Sequence, residues 1–214
     1  MDPTTLGAEH ILDAASAIVV GDGVDALTHA AIAQRLGTDE RAVREVFPFA
    51  EGLFAALFTR ETAELLRRVV DDVERDPRGG LPSRIFGYAL GAVYEHPFAR
   101  ALYLDDPAGL NRVMRAIDGV APVPDLTIHP ELLPSLQDAG MMRADADPRE
   151  VAAVISVIGS GIAMAAPGQL IDVVADGLRM LLERGVDADV ADTAPGKRVL
   201  AHYAERVVVG SAPR

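Results

Sequence analysis

Residues 28–48 read THAAIAQRLGTDERAVREVFP, and this stretch decides the predicted fold. Thr28 is a suitable N-cap for a short helix, and Gly37 breaks that helix because glycine tolerates the left-handed conformation of a C-cap. Thr38 or Asp39 then caps a second short helix, which the final proline of the stretch ends. Two short helices joined by a glycine-bearing turn are the layout of a helix-turn-helix.

Helical patterns surround this stretch on both sides. Apolar residues recur at helical spacing over residues 11–19, and Gly21-Asp22-Gly23 ends that helix. Breaks rich in glycine and proline divide the rest of the chain into helices predicted over residues 51–74, 82–95, 97–105, 107–117, 131–142, 148–166, 169–184 and 197–208, with a loop over 119–130. We therefore predict an all-α chain, with a three-helix helix-turn-helix domain over residues 1–50 and a second helical domain over 51–214.

The composition excludes several classes of protein. Half of the 214 residues are hydrophobic, which is enough to build a core, and no cysteine is present for disulfides, thiolate chemistry or Cys-based zinc sites. The longest apolar run, residues 151–166, is shorter than the roughly 20 residues that span a bilayer, and no secretory leader is visible. We expect a cytoplasmic protein without a membrane segment.

The charge balance bears on any role with nucleic acid. The net charge is −12, and residues 1–55 hold nine acidic side chains but only three basic ones, Arg35, Arg41 and Arg44, a net charge of −6. An acidic surface opposes general affinity for DNA. The local charge of the second short helix, where Arg41 and Arg44 lie three residues apart on one face, matters more than this total.

Residue patterns for catalysis or metal binding are weak. Acidic pairs such as Asp71/Asp72 are typical of solvated helix faces, and no nucleophile elbow is visible. The five histidines are scattered without i, i+3 or i+4 spacing, so solvated or capping roles are favoured over a metal site. Gly159-Ser160-Gly161 lies in an apolar helix and favours close packing over phosphate binding. We expect no enzyme activity, no metal and no cofactor.

The order of residues in the N-terminal region resembles a known family. The segments that carry the resemblance are Ile11-Leu12-Asp13-Ala14-Ala15, Gly23-Val24-Asp25-Ala26-Leu27-Thr28, Ile32-Ala33-Gln34-Arg35-Leu36-Gly37, Val43 and Phe47-Pro48. Over residues 9–53, about a fifth of the chain, they are similar to the tetracycline-repressor (TetR) family. The rest of the chain resembles the family in layout only.

The resemblance implies where DNA would bind. It places a phosphate-contacting hydroxyl at Thr28 and the outer part of a recognition helix at Thr38, Arg41, Ala42 and Arg44. The chain departs from the family pattern at Arg44, where an aromatic residue is usual, at Val46, where histidine or tyrosine is usual, and at Ala50, where lysine is usual. Each lost phosphate contact lowers the affinity and its salt dependence.

The resemblance also implies a homodimer and a small-molecule effector. The last two long helices would pair with those of a second copy, and we expect Val157, Gly161 and Leu178 at this interface. A pocket for an apolar or weakly polar effector would draw on the aromatic and methionine residues of the middle of the chain, for which we expect Tyr88, Tyr103, Phe86, Met114 and Met141. Such residues at helical spacing are also typical of an ordinary core.

Two functions remain open from the sequence. In the first, the chain is a ligand-responsive transcriptional regulator, a repressor that binds a palindromic operator as a homodimer. In the second, it is a helical small-molecule sensor or interaction protein of the same fold, in which DNA binding is weak or lost. The intact spacing from Ile11 to Phe47 favours the first function, and the acidic N-terminal region favours the second.

Overall fold

The computed structural model describes residues 7–105, 109, 131–165 and 171–210, and in this part of the chain the regular structure is helical. An isolated antiparallel bridge pairs Met142 with Asp187. The α-helices are α1 (Ala8–Asp22), α2 (His29–Leu36), α3 (Glu40–Val46), α4 (Ala50–Arg75), α5 (Pro82–Glu95), α6 (Pro97–Arg100), α7 (Leu132–Asp138), α8 (Pro148–Ala165), α9 (Ile171–Gly185) and α10 (Ala194–Gly210). The predicted all-α class is therefore confirmed.

The described residues form two compact units. The first contains residues 7–62, 97–105 and 109, and the second contains residues 63–96, 131–165 and 171–210. Helix α4 begins in the first unit and ends in the second. The domain boundary predicted at residue 50 stays a prediction.

The core of the first unit is apolar and is built mainly from α1 and the helices that follow it. Its fully buried side chains come from α1, α2, α3, the first half of α4, and the π-helical turn Ala101–Asp105 that continues α6. They include Ile11, Ile32, Val43, Leu53, Leu57 and Leu102. A core of this kind needs the i, i+3, i+4 spacing that the sequence shows, because only that spacing places apolar groups on one side of each helix.

The second unit has its own core, in which α5 packs on α9, and α7 packs on α8 and α10. Its buried side chains include Val69, Ile85, Phe86, Leu133, Leu136, Ile155, Leu182 and Leu200. The predicted bounds of α5 and the predicted start of α8 are reproduced without change, and the end of α9 differs by one residue, which is within the usual uncertainty of helix termini.

The C-terminal segment docks on the turn between α4 and α5. The Thr193 hydroxyl donates to the carbonyl oxygen of Pro77 at 2.9 Å, and the Lys197 ammonium donates to that of Glu74 at 2.8 Å. A Cβ atom at Gly80 would overlap the carbonyl oxygen of Thr193, and one at Gly196 would overlap that of Gly80. The two backbones approach so closely that only glycine fits at these positions.

Three predictions about the middle of the chain have different outcomes. The helix predicted over residues 131–142 stops at Asp138, because Gly140 adopts a left-handed φ of 76° and Met142 then pairs with Asp187. The predicted helix 97–105 becomes π-helical after Arg100. The predicted helix 107–117, apart from Gly109, and the loop 119–130 lie outside the described residues. Within the described ranges, no helix is both long and apolar enough to cross a membrane.

Candidate DNA-binding surface

The turn between α2 and α3 is set by local hydrogen bonds. Gly37 adopts a left-handed φ of 66°, and the Thr38 amide donates to the carbonyl oxygen of Ala33 at 3.0 Å. The Asp39 carboxylate accepts from the Ala42 amide at 2.7 Å, so Asp39 rather than Thr38 is the N-cap of α3. At the start of α2 the Thr28 hydroxyl oxygen accepts from the amide of Ala31 at 3.1 Å. These contacts confirm the helix-turn-helix geometry read from residues 28–48.

A buried histidine ties the two helices together. His29 is 5% exposed, and its Nε2 donates to the carbonyl oxygen of Phe47 at 2.7 Å, which joins the first turn of α2 to the C-cap of α3. Of the two predicted roles, the solvated one is therefore wrong at this position, and the bond to the C-cap carbonyl of α3 is of the capping kind. The signal was present in the sequence, because His29, Ile32 and Ala33 have the i, i+3, i+4 spacing of one buried helix face.

The outward side of α3 is defined by the residues that it buries. Val43 is fully buried, and Val46 and Phe47 pack against the same core. With 100° of rotation per residue, Arg41 then projects away from the core and Glu45 lies beside it. The exposed fractions of the side chains follow this geometry: 87% for Arg41 and 66% for Glu45, against 52% and 44% for the two residues at the edge, Arg44 and Glu40.

Every charged side chain on this face of α3 is paired with another on the same helix. The Arg41 Nε lies 3.2 Å from the Glu45 carboxylate, while Arg44 donates from Nη2 and Nε to one Glu40 oxygen at 2.6 and 2.9 Å. Glutamate four residues before arginine is the favourable order on a helix, and arginine before glutamate is the weaker one. Arg41 is thus the more readily released of the two arginines, and the four side chains have no net formal charge.

Two of the predicted DNA-contacting residues are less accessible. Thr38 and Ala42 are half-buried, whereas Thr28, Arg41 and Arg44 are exposed. A third arginine of this region, Arg35 in the last turn of α2, is also exposed. The accessible part of the surface therefore consists of Thr28, Arg35 and the charged face of α3.

An arginine of α4 joins this helix to α1. The two Nη atoms of Arg60 contact Asp13 at 2.8 Å and Glu9 at 3.4 Å from α1, Glu61 at 2.7 Å, and the carbonyl oxygen of Leu12 at 3.2 Å. Its pKa is raised by the carboxylates of Glu61 and Asp13, which outweigh the opposing effect of burial. The sequence offered no signal for this network, since its members are about 50 residues apart.

The residues predicted for an effector pocket are distributed over both units. Phe86 and Met141 are buried in the core of the second unit, and Tyr103 packs against the core of the first, where burial raises its pKa to about 12. The Tyr88 hydroxyl donates to the Asp76 carboxylate at 3.0 Å, and burial, followed by this hydrogen bond, raises its pKa. Met114 lies outside the described residues. Phe86 and Met141 therefore lie in the core of the second unit, and their part in an effector pocket stays a prediction.

Of the three predicted dimer residues, one is buried, contrary to the prediction, and two are exposed. Leu178 is buried in the core of the second unit, beside Phe86, because it lies on the side of α9 that packs on α5. Val157 and Gly161 on α8 are exposed. The exposed large apolar side chains of the two helices, which we call the α8/α9 apolar surface, are Val154, Val157, Val173, Met180 and Leu181.

Comparisons with known proteins give a clear result for the fold alone. No family model matches the chain, and no curated protein matches it. Solved structures do. The protein studied as the molecular basis for control of antibiotic production by bacterial hormones is 24% identical with a TM-score of 0.59, over 85% of this chain and 97% of its own.

Two further solved structures agree with the first. A transcriptional regulator from Rhodococcus sp. Rha1 is 20% identical with a TM-score of 0.55, over 86% of this chain and 98% of its own. A protein from Shewanella sp. PV-4, described as a tetR family transcription regulator, is 15% identical with a TM-score of 0.51, over 85% and 98%. The resemblance seen in residues 9–53 is thus confirmed at the level of structure: the chain is similar over most of its length to transcriptional regulators of the TetR fold.

Proposed function

We propose that the chain is a ligand-responsive transcriptional regulator, a cytoplasmic repressor that binds a palindromic operator as a homodimer. The observation that carries the proposal is the exposed, arginine-bearing face of α3, held at the end of a helix-turn-helix by the Gly37 turn and the His29–Phe47 hydrogen bond. A helix presented in this way is of a size and shape to enter the major groove. The likeness to solved transcriptional regulators supports the same function.

Each accessible group has a role in this proposal. Arg41 lies at the centre of the outward face and contacts a base, since an arginine fork matches the acceptors of guanine. Arg44 lies at the edge and contacts the DNA backbone. The Thr28 hydroxyl oxygen accepts from Ala31, which leaves its proton to donate to a phosphate at the positive end of α2.

The α8/α9 apolar surface supports the homodimer. Five large apolar side chains exposed on two helices that follow one another in the sequence are costly in water, and a second copy would bury them. A symmetric pairing of two helices from each copy gives a four-helix arrangement with self-complementary contacts. The interface role expected of Leu178 passes to Val173 and Leu181, which are exposed on the same helix.

The effector is proposed to be a small molecule of apolar or weakly polar character. Tyr88 is the polar group that we assign to it. Its hydroxyl already donates to Asp76, so a ligand acceptor that replaces Asp76 would free a carboxylate at the first residue of the α4–α5 connection. Ligand binding would thus change the contacts at the C-terminal end of α4, whose N-terminal end follows α3 in the sequence.

A second function is favoured by the electrostatics. The first 55 residues have a net charge of −6, and the arginines of α3 are neutralised by glutamates of the same helix. Lysine and arginine supply nearly all non-specific affinity for DNA. A chain without such affinity would be a sensor or interaction protein that keeps the fold but not the operator.

Binding to the promoter DNA next to the chain's own gene, measured across a salt series, separates the two functions. We expect a specific complex that weakens steeply with salt and is lost when Arg41 and Arg44 are both replaced by alanine. The matched control is Arg75→Ala, which removes an exposed arginine paired with Asp72 on the same helix but in the second unit. No complex at about 50 mM salt with micromolar dimer would establish the sensor instead.

A further inference from the structure

The acidic residues of α3 would be carried into the major groove with it, and the inference drawn from them rests on the proposed function. Glu45 is two-thirds exposed and lies beside Arg41 near the centre of the face that would enter the groove. A carboxylate carried into a polyanion loses solvation and is repelled by phosphates. Such a position is unfavourable unless the carboxylate finds a hydrogen-bond donor inside the groove.

The major groove offers that donor at one base. Cytosine presents the N4 amino group, which donates, whereas guanine presents only acceptors, N7 and O6. Glutamate accepts and arginine donates, so the neighbouring Glu45 and Arg41 side chains match a cytosine and a nearby guanine. The two side chains are one helical turn apart and already within 3.2 Å of each other, so both can reach adjacent base pairs.

Glu40 does not share this position. It is the least exposed of the four charged residues, and one of its oxygens accepts two hydrogen bonds from Arg44 in the favourable i, i+4 order. This pair lies at the edge of the outward face. Its geometry suits helix stabilisation and leaves Glu40 without access to a base edge.

We propose that Glu45 is a base-reading residue, which accepts a hydrogen bond from the N4 amino group of a cytosine beside a guanine contacted by Arg41. The operator then contains this cytosine in each half-site. Glu45 is in this view a specificity-determining residue that excludes other bases, and the acidity of α3 is part of recognition.

Selection of DNA by three full-length proteins tests the proposal. Wild type, E45Q and E40Q are each offered a pool of duplexes randomised over about two helical turns. Both variants remove one negative charge from α3, so any general gain in affinity is common to them. We expect E45Q to change the preferred base at one position of each half-site from cytosine to adenine, which glutamine reads, by about five-fold or more, and E40Q to keep cytosine.

The outcomes separate this inference from the proposed function. E45A is expected to accept any base at the same position while the remainder of the selected site is unchanged. A wild-type protein that selects a site whose base preferences are the same in E45Q and E45A overturns the role of Glu45 alone. A wild-type protein that selects no sequence overturns the proposed function, and the inference with it.

Discussion

The two units of the chain differ in what they bury and in what they expose. The first unit buries an apolar core and holds its charged groups in pairs, from the Arg60 network between α1 and α4 to the two ion pairs on α3. The second unit leaves five large apolar side chains of α8 and α9 exposed. Each unit also buries a carboxylate, Glu61 beside Arg60 in the first and Asp187 beside Ser83 in the second. Ion pairs hold charged side chains in both units, whereas most of the exposed large apolar side chains lie on α8 and α9 of the second unit, with Val20 and Phe49 in the first.

This difference shows that the composition of a unit does not determine which of its side chains are accessible to a partner. By charge count the first unit is acidic, but the Arg41 side chain is 87% exposed and makes one weak ion pair, with Glu45. By hydrophobicity α8 looks like a buried helix, but Val154 and Val157 on it are exposed. A charged partner fits the first surface and an apolar partner fits the second.

The largest expected effect comes from charging the α8/α9 apolar surface. The double variant Val157→Asp and Leu181→Asp should be monomeric in sedimentation at micromolar concentration where the wild type is dimeric. The reason is that an acid at each site would have to be buried without a partner in an interface of roughly 2,000 Å² or more.

Arg149→Asp is the control for this experiment, because it introduces an acid at an exposed site in the first turn of α8. It should leave the dimer intact. A monomeric wild type would contradict the comparison itself, since the exposed apolar side chains would then have no second copy to cover them.

A smaller effect is expected in the first unit, from Arg60→Leu. The change removes a cation that is 24% exposed and holds two carboxylates of α1 and one of α4. Hydrogen bonds to charged groups contribute about 1.5–3 kcal/mol, so the free energy of unfolding in urea should fall by about 2 kcal/mol.

The control for Arg60 is Arg75→Leu, which breaks an exposed pair within one helix and should cost less than about 1 kcal/mol. Equal losses in the two variants would show that the Arg60 network behaves as an ordinary surface pair. The polar organisation ascribed to the first unit would then be wrong.

Much of the fold could be predicted from the sequence because its signals are local. The caps Thr28 and Asp39, the left-handed Gly37 and the apolar spacing of α1 and α5 act within one or two turns of helix. The end of α7 was missed because it depends on a pairing between Met142 and Asp187, which are 45 positions apart in the sequence. The docking of the C-terminal segment was missed for the same reason.

The position of the candidate site could be predicted from the sequence, but the exposure of its side chains could not. The positions of Arg41 and Arg44 on α3 follow from spacing, yet the unequal exposure of the two arginines depends on which side of α3 packs on the core. Leu178 shows the opposite error, since an apolar residue of an amphipathic helix was assigned to the outer face although α5 covers it. Local periodicity gives the faces of a helix but does not say which neighbour each face meets.

The smallest expected effect concerns the buried carboxylate of the second unit. Asp187 accepts from the Ser83 amide at 2.9 Å and from the Ser83 hydroxyl at 2.5 Å, at the start of α5, and burial raises its pKa despite both hydrogen bonds. An acid whose pKa is raised on folding contributes stability below its unfolded pKa of about 4, and this stability is lost as the pH rises through the raised value. Asp187→Asn has the same shape and no charge. We therefore expect the unfolding free energy of the variant, minus that of the wild type, to increase as the pH rises from about 4 and then to level off.

Asp145→Asn is the control with the opposite sign, because the Arg143 hydrogen bond lowers the pKa of Asp145. The difference for Asp145→Asn should change mainly below the unfolded pKa of about 4, so urea unfolding of the three proteins between about pH 2.5 and pH 7 measures both differences. A difference for Asp187→Asn that is constant or decreasing between about pH 4 and pH 7 would show that the charge of Asp187 is not costly where it lies.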